Sequence, residues 1–368
     1  MTTGASVCDQ THNGGVIDVA KIYFLKHLVA IFTNFLCASR SNYRGRRLLM
    51  PLLLTDKEVN ELMSMSQCVD AVEDAFRQVG AGKAWNRPRS RIRMPRGFHH
   101  LMAGYLADSE VFGVKTYTSF RAGTRFITML YDANNGDLLA TLQGGRIGQI
   151  RTGAVSGIGT KHMSREDSVT VGMIGAGFQA RGQIEGICAV RDIKSVKVFD
   201  SAKEFAEKMT REMSEELGVE MNVVETAQEA VSDVDIIITM TTSRTPVLLG
   251  EWLQPGQHVN AAGSNHWIRQ EVDDNVIKMA DRIVVDSKED AQIEAGDLLF
   301  PIERGRVMWS GIHELSDLVV GNVKGRQSTE EITLLESQGI ALSDIAAANY
   351  VYQRAKEKSL GIELPMDS

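Results

Sequence analysis

The amino-acid sequence predicts an α/β protein that joins a doubly wound domain to a second, mixed α+β domain. From about Ser168 onward, short apolar segments alternate with helical stretches, which is typical of a parallel sheet covered by helices on both faces. Residues 89–143 contain β-rich runs and a predicted hairpin around Asn134-Asn135-Gly136. Residues 332–358 return to helical spacing, and we expect this C-terminal part to pack back on the first domain.

The composition is that of an ordinary globular protein. The chain has 368 residues, 43% of them hydrophobic, and a formal net charge of −7. Mild acidity gives no general attraction to polyanions, so we expect no nucleic-acid partner. The four cysteines lack metal-ligand spacing. They predict neither a metal site nor a disulfide framework, and they favour a reducing, cytoplasmic location.

The first 49 residues are predicted to be an extension outside the fold. Their segment Lys21–Ser39 is largely apolar, but Thr33 and Asn34 interrupt its longest apolar run. A transmembrane helix needs about 20 predominantly apolar residues, and this segment is too short and too polar to match. We therefore expect no membrane association of the folded domains.

The folded part is predicted to begin near Met50. A short apolar strand is followed by Thr55 and, three residues later, by Glu58, which is the arrangement of a helix capping box. Apolar residues at helical spacing then predict one or two amphipathic helices up to Val79.

A glycine-rich turn carries the clearest chemical signal. The run GAGFQA follows an apolar strand and opens a helical stretch. Within it, Gly175 permits the tight turn, Gly177 lets the backbone approach a pyrophosphate, and Ala180 allows close helix–strand packing. The helix start then offers unpaired N–H groups to phosphates. This pattern predicts a Rossmann-type dinucleotide site, and Asp200 ends the next strand, where a ribose diol is held.

Asp200 also indicates which nicotinamide dinucleotide is bound. A carboxylate at this place repels a 2′-phosphate, so the sequence favours NAD over NADP. Lys197 and Lys203 lie close to Asp200 in the sequence, and NADP therefore stays an alternative.

Three cationic side chains are candidates for the substrate side of the site. Arg89 shares a predicted strand face with Arg91 and Arg93, and its planar guanidinium suits bidentate capture of a carboxylate. For Arg91 and Arg93, a solvated edge strand is the simpler interpretation. Lys115 lies within an apolar β run, where burial would lower the pKa of its amine toward a useful acid/base range. Arg151, at a predicted helix start, offers a further cation near a cleft between domains.

In their order and spacing, many segments of this chain resemble the ornithine cyclodeaminase/mu-crystallin family. The resemblance covers about residues 50–360. It is carried by LLLTDKEV (52–59), RPR (87–89), LMAGYL (101–106), VKTYT (114–118), RTGA (151–154), IGAGFQA (174–180), PGQHVNAAGSN (255–265), RIVVDS (282–287), EAGDL (294–298) and LLESQGIALSDIAAA (334–348).

The resemblance implies a homodimeric, NAD(P)-dependent enzyme that acts on small amino or imino acids. The family includes ornithine cyclodeaminase, an alanine dehydrogenase, and ketimine and pyrroline-carboxylate reductases. Residues 161–324 would form the Rossmann NAD(P)-binding domain. Residues 50–160 and 325–368 would form a substrate-binding and dimerisation domain completed by C-terminal helices.

The resemblance and the glycine motif together assign roles to individual residues. Lys115 is the predicted catalytic residue. Substrate contacts are predicted for Arg89, Met102, Lys115, Arg151 and Asn265, with Arg87 or Arg91 as alternatives to Arg89. Cofactor contacts are predicted for Arg151, Thr152, Gly175, Gly177, Phe178, Gln179, Ala180, Asp200, Thr241, Ser264 and Ser337.

One position departs from the family pattern. Where ornithine cyclodeaminase carries an aspartate that handles the second amine of its substrate, this chain has Asn265. An amide neither accepts a proton at neutral pH nor pairs with an ammonium as a carboxylate does. The leading prediction is therefore hydride exchange between NAD(P)H and the α-carbon of a small imino or amino acid. The alternatives are ornithine cyclodeaminase itself, with proline and ammonia as products, and a non-enzymatic, mu-crystallin-like binding protein.

Overall fold

This computed structural model describes residues 50–365. The predicted N-terminal extension, residues 1–49, lies outside the described residues. Within the described part, the strands form one sheet of seven and one of eight strands, with helices packed on both. The predicted α/β fold class is confirmed.

The first sheet is mixed and mainly antiparallel. Its strands are β1 (Leu52–Leu54), β2 (Ala84–Met94), β3 (Gly97–Leu106), β4 (Val111–Phe120), β5 (Gly123–Asp132), β6 (Leu138–Gln143) and β15 (Ile362–Glu363). Their order is β15-β1-β6-β5-β4-β3-β2, and only the pair β1 and β6 is parallel. The predicted hairpin is confirmed between β5 and β6, where Gly136 has the positive φ of +79° that the turn requires.

The second sheet is parallel throughout. Its strands are β7 (Thr170–Ile174), β8 (Ser195–Phe199), β9 (Glu220–Val223), β10 (Ile236–Thr239), β11 (His258–Ala261), β12 (Arg282–Val285), β13 (Ile312–Glu314) and β14 (Thr333–Glu336). Their order is β13-β12-β14-β11-β10-β7-β8-β9. The chain therefore winds outward from β7 in both directions, and the switch between β7 and β10 is the place where doubly wound sheets bind ligands.

The helices cover both sheets. They are α1 (Asp56–Leu62), α2 (Met65–Gly80), α3 (Gly144–Met163), α4 (Phe178–Cys188), α5 (Lys203–Leu217), α6 (Ala227–Val231), α7 (Asp274–Met279), α8 (Lys288–Glu294), α9 (Gly296–Glu303), α10 (Leu315–Val319) and α11 (Ala341–Lys358). One hydrophobic core includes residues of α2, α3, α11 and the first sheet. Two more cores lie at the second sheet. None of the helices between residues 50 and 365 has the length and apolarity needed to cross a bilayer.

The start of the fold follows the predicted signals. Thr55 caps α1, and the side chain of Glu58 reaches back to the N–H of Thr55, so the capping box is confirmed. A second capping box, formed by Ser64 and Gln67, opens α2. Each box satisfies backbone donors that a helix start otherwise leaves unpaired.

Two sequence-based expectations about helices are wrong. Residues 333–336, predicted as helix, form β14 in the interior of the second sheet, between β11 and β12. All four residues of β14 are buried, so the alternation that marks a half-exposed strand is absent. Arg151 was expected at a helix start, but α3 already begins at Gly144.

Helices α3 and α4 approach each other more closely than ordinary side chains allow. A Cβ atom at Gly153 would lie 1.7 Å from the carbonyl oxygen of Gly182, and one at Gly186 would lie 2.0 Å from that of Gly153. Only glycine fits at these contacts. Helix α3, which follows the last hairpin of the first sheet, is thereby fixed against the helix that follows the GAGFQA turn.

Candidate active site

The inner face of the first sheet carries a row of neighbouring residues. The register pairs Met102 with Lys115, and Lys115 with Thr128. Side chains that are paired across antiparallel strands point to the same face, and all three of these are buried. The sheet therefore places Met102, a predicted substrate contact, directly beside the predicted catalytic lysine.

Lys115 is the centre of a buried charged group. Its Nζ lies 2.7 Å from Oδ1 of Asp344 on α11, and the Nε of Arg151 lies 3.2 Å from Oδ2 of the same carboxylate. Lys115 is only 2% exposed. Burial lowers the pKa of Lys115 to about 8, the charge of Arg151 acts in the same direction, and Asp344 opposes both. An amine with this pKa can donate or accept a proton near neutral pH.

Arg89 reaches the same region because of an irregularity in β2. The register between β2 and β3 shifts between Arg87 and Ser90, and the intervening Arg89 is buried. Its Nη1 pairs with Glu294, while its Nη2 donates to the carbonyl oxygens of Gln338 and Gly339, each at 3.0 Å. The end of the guanidinium is thus largely taken up by acceptors of the protein itself.

The two neighbouring arginines have different surroundings. Arg91 binds Oε1 of Glu294 at 2.5 Å and the carbonyl oxygen of Asn265 at 2.7 Å. Arg93 is exposed. The prediction of a solvated edge strand therefore holds for Arg93 alone, and the buried carboxylate of Glu294 is shared by Arg89 and Arg91.

A line of buried carboxylates borders these arginines. Asp286 accepts hydrogen bonds from Oγ of Ser337 at 2.8 Å and from the backbone N–H of Gly339 at 2.6 Å. Burial, together with the charge of the neighbouring Asp286, raises the pKa of Asp290 to about 7. Burial also raises the pKa of Glu294, against the effect of its two arginines. Ser337, a predicted cofactor contact, is thereby held at the end of β14.

Gly339 allows the arginines and carboxylates to come together. Its φ is +76°, and a Cβ atom there would lie 2.5 Å from Nη1 of Arg151. Both the backbone conformation and the space exclude a side chain at this place. The Nη1 atom of Arg151 has no hydrogen-bond partner within residues 50–365, so Arg151 keeps one free donor in the buried group.

The glycine-rich turn has the geometry of a dinucleotide site. Gly175 has a φ of +99°, and a Cβ atom there would lie 2.5 Å from the carbonyl oxygen of Met240. Gly177 is the N-cap of α4, and among the described residues a Cβ atom there would meet nothing within 4 Å and no side chain caps the helix. Asp200 accepts a hydrogen bond from the N–H of Ala176 at 2.7 Å. The open N–H groups of α4 and the carboxylate of Asp200 fit the phosphates and a ribose of a bound dinucleotide.

The other predicted cofactor residues gather at the same edge of the second sheet. The backbone N–H of Thr241, after β10, is held by Glu271 at 2.5 Å, and Oγ of Ser264, after β11, contacts the carbonyl oxygen of Arg269 at 3.3 Å. At the start of α4, Ala180 is buried, whereas Phe178 and Gln179 are at least partly accessible.

On α3, Thr152 is bound to its own helix. Its Oγ1 donates to the carbonyl oxygen of Gly148 at 2.6 Å. This bond follows the usual pattern of a threonine inside a helix, which satisfies its hydroxyl four residues back. Whether Thr152 contacts the cofactor stays a prediction.

Sequence reasoning missed the groups that pair with the predicted cations. Asp344 and Glu294 compensate Lys115, Arg151 and Arg89, but neither was singled out. A signal existed for Asp344, because an acidic residue inside the apolar helix IALSDIAAA is unusual unless it has a partner. Glu294 opens the segment EAGDL of the family resemblance, but its local sequence gives no sign that it pairs with arginines. Residues 50–365 contain no group of three or more histidine, cysteine or acidic side chains arranged to hold a metal ion.

Comparisons with known proteins show the family of this chain and its fold. The model of the ornithine cyclodeaminase/mu-crystallin family matches residues 50–359. The chain belongs to this family. Among its relatives, a Delta(1)-pyrroline-2-carboxylate reductase of Bacillus cereus is 35% identical over 320 residues, which are 84% of this chain and 98% of the relative.

Solved structures of the family have the same fold. The Thermococcus litoralis Delta(1)-pyrroline-2-carboxylate reductase, in complex with NADH and L-proline, has a TM-score of 0.82 and 37% identity, covering 85% of this chain and all of that one. An archaeal alanine dehydrogenase dimer with bound NAD has a TM-score of 0.81 and 32% identity, covering 86% of this chain and 99% of that one.

Proposed function

We propose that this protein is an NAD-dependent oxidoreductase that transfers hydride between the nicotinamide and the α-carbon of a small imino or amino acid. The observation that carries the proposal is the buried charged group of Lys115, Asp344 and Arg151. The same chain also contains the glycine-rich turn that fits a dinucleotide. The reductases and the dehydrogenase to which the chain is similar are named for imino- and amino-acid reactions of this type.

Lys115 supplies the proton in the reductive direction. Its amine has a pKa of about 8, so the ammonium form present at neutral pH can protonate or polarise an imine nitrogen. Within the described residues, Nη1 of Arg151 and Nε of Arg89 have no hydrogen-bond partner, and these two donors bind the substrate carboxylate. Asp344 holds Lys115 and Arg151 in place.

NAD supplies or receives the hydride when it is bound. Asp200 favours NAD over NADP, and the two lysines that weakened this prediction are engaged elsewhere. Lys203 pairs with Glu225 at 2.6 Å, and Nζ of Lys197 donates to the carbonyl oxygen of Ser232 at 2.7 Å. Lys197 is thereby held by the backbone, whereas the pair of Lys203 and Glu225 is exposed and weak, so Asp200 is the main argument for NAD.

Asn265 argues against the cyclodeaminase reaction. Its backbone carbonyl accepts from Arg91, and its side-chain Oδ1 lies 3.4 Å from Nη1 of Arg269. An amide in this position offers no negative charge to a second substrate amine. We expect no release of ammonia from ornithine.

A homodimer is part of the proposal. On the outer face of the first sheet, the register aligns four aromatic side chains across β2 to β5, in the order Trp85, Tyr105, Phe112 and Tyr131. Trp85 stacks on Tyr105 and Phe112 on Tyr131, and Trp85 is 59% exposed. Exposed apolar area of this kind marks association surfaces. Light scattering should find about twice the mass of one chain. A cytoplasmic location stays a prediction.

The reaction is tested by a spectrophotometric screen. NADH and NADPH are offered with cyclic imines such as pyrroline-2-carboxylate, and with α-keto acids in the presence of ammonia or methylamine. We expect substrate-dependent oxidation of NADH, and slower oxidation of NADPH. Absence of turnover across the screen, with Lys115→Ala indistinguishable from the natural chain, would show that the protein is a binding protein instead.

A further inference from the structure

His100 is a buried histidine of the first sheet that the proposed reaction leaves unused. It lies two residues before Met102 on β3 and therefore on the same inner face. Its ring stacks on that of Tyr117, with 4.1 Å between the centroids. Within residues 50–365, neither of its buried ring nitrogens has a hydrogen-bond partner. Buried polar groups are nearly always paired, so this imidazole indicates a place for a ligand.

A second unpaired donor lies beside His100. The register pairs His100 with Arg91 on β2. Arg91 uses Nη1 for Glu294 and Nη2 for the carbonyl oxygen of Asn265, and its buried Nε has no partner in the described part of the chain. Two neighbouring side chains on one buried face thus each keep a donor available.

The charge around His100 favours an anionic acceptor. Burial and the charges of Arg91 and Arg89 together lower the pKa of His100 to about 4, so the ring is neutral and one nitrogen carries a hydrogen to donate. Arg91 shares the carboxylate of Glu294 with Arg89, on which the more distant Asp290 and Asp286 also act. A carboxylate here would gain charge-assisted hydrogen bonds.

We propose that His100 and the Nε of Arg91 form a subsite that selects substrates whose side chain ends in a second carboxylate. The proposal rests on the proposed function, in which Lys115 and Arg151 hold the reacting end of the substrate. His100 is the diagonal neighbour of Lys115 across β3 and β4. Diagonal neighbours are about 7–8 Å apart, which suits a dicarboxylic amino or imino acid of about four or five carbons.

The test measures binding, so that it does not depend on turnover. Protein saturated with NAD⁺ is titrated calorimetrically with L-aspartate and L-glutamate, with their amides, and with L-alanine and L-proline. We expect the better of the two diacids to bind at least about 10-fold more tightly than L-alanine or L-proline, because an unpaired buried donor rejects ligands that cannot satisfy it. Tighter binding of the amides than of the diacids would overturn the choice of a carboxylate.

Two variants and a control separate a contact from a structural role. H100F keeps the stacked ring without its donor and should weaken diacid binding about 10- to 100-fold, with L-alanine binding unchanged. H100N retains a hydrogen-bond donor and should lose less affinity for the diacids than H100F does. H99Q changes the preceding residue, which faces the other side and contacts Oγ1 of Thr116, and should change no affinity.

Two different failures can be told apart. Equal weakening of diacids and L-alanine in H100F, or no diacid preference in the natural chain, would overturn the subsite. Lack of NADH oxidation with every substrate would overturn the proposed reaction, while the titration still decides whether His100 recognises a carboxylate.

Discussion

The two sheets present their functional groups in different ways. In the second sheet, Gly175, Asp200 and Thr241 lie just beyond the ends of parallel strands, at one edge of the sheet. In the first sheet, Arg89 and Lys115 lie inside strands, on a buried face. The first arrangement keeps these three groups outside the strands, whereas the second places charges on a strand face within the core.

This difference has an energetic consequence. Groups at strand ends can be exchanged without disturbing a core, since loops tolerate change. A charge inside a core must be compensated, and removal of its partner costs far more than a surface pair contributes. Lys115 depends on Asp344, which lies 229 positions further along the chain. We therefore expect substitutions of the charged residues in the first sheet to change activity and stability together. Substitutions at the strand ends of the second sheet should change cofactor binding with little effect on stability.

The largest expected effect concerns Lys115 itself. Lys115→Met should lower kcat about 10²- to 10⁴-fold, because the proton donor is lost. The affinity for NADH should stay the same, since the cofactor contacts are predicted mainly at the second sheet. Steady-state kinetics and a fluorescence titration with NADH measure the two quantities. Lys83→Met is the control, because this lysine pairs with Asp108 at the surface. A similar loss of NADH affinity in Lys115→Met would contradict the assignment of cofactor binding to the second sheet.

Removal of the carboxylate of Asp344 tests whether the charged residues of the first sheet also determine stability. Asp344→Asn should lower the free energy of unfolding by about 3–5 kcal/mol, since it leaves Lys115 and Arg151 buried without a counter-charge. Asp108→Asn removes a half-exposed partner and should cost less than about 1 kcal/mol. Urea unfolding compares the two variants. Similar small losses in both would contradict a structural role for the buried pair.

The same variant also makes a prediction about pH. Reduction needs the protonated amine of Lys115, so activity of the natural chain should fall above about pH 8. Asp344 raises the pKa of Lys115. Its replacement should therefore move this fall to lower pH. A pH profile of kcat/KM measures the shift, and an unchanged profile would mean that another group carries the proton.

The glycine contact between α3 and α4 links the two regions and should show an intermediate effect. Gly153→Ala places a Cβ atom against the carbonyl oxygen of Gly182 and should destabilise the protein by about 1–3 kcal/mol. In Gly311→Ala, the new Cβ atom has no neighbour within 4 Å in the part of the chain that the structure describes, and the free energy of unfolding should change by less than about 0.5 kcal/mol. Thermal unfolding compares them, and an unaffected Gly153→Ala would show that the helices can move apart freely.

The smallest expected effect belongs to the second sheet. Asp200→Ser should lower the preference for NADH over NADPH about 10-fold, equivalent to about 1.4 kcal/mol, because the repulsion of a 2′-phosphate is removed. The ratio of kcat/KM for the two cofactors measures it. Stability should change little. A large loss of stability would mean that Asp200 acts through its bonds to the backbone of Ala176 and Ala202.

Features of the fold that depend on residues adjacent in the sequence were predictable. The capping box at Thr55, the hairpin at Gly136 and the turn at Gly175 each follow from the preferences of a few consecutive residues. The strand β14 was not predictable in this way. Its residues Thr333–Glu336 carry no alternation, because both faces of the strand are covered by other parts of the chain.

The sequence by itself determined the fold class, the dinucleotide turn and the suspicion that Lys115 has a chemical role. Only the tertiary structure decided that Asp344 joins Lys115 to Arg151 and that Glu294 takes up the end of Arg89. It also decided that His100 lies on the same face without a hydrogen-bond partner among residues 50–365. The reason is physical. Turns, caps and strand patterns arise from interactions over a few residues, whereas the compensation of a buried charge depends on which distant segments packing brings within a few ångströms.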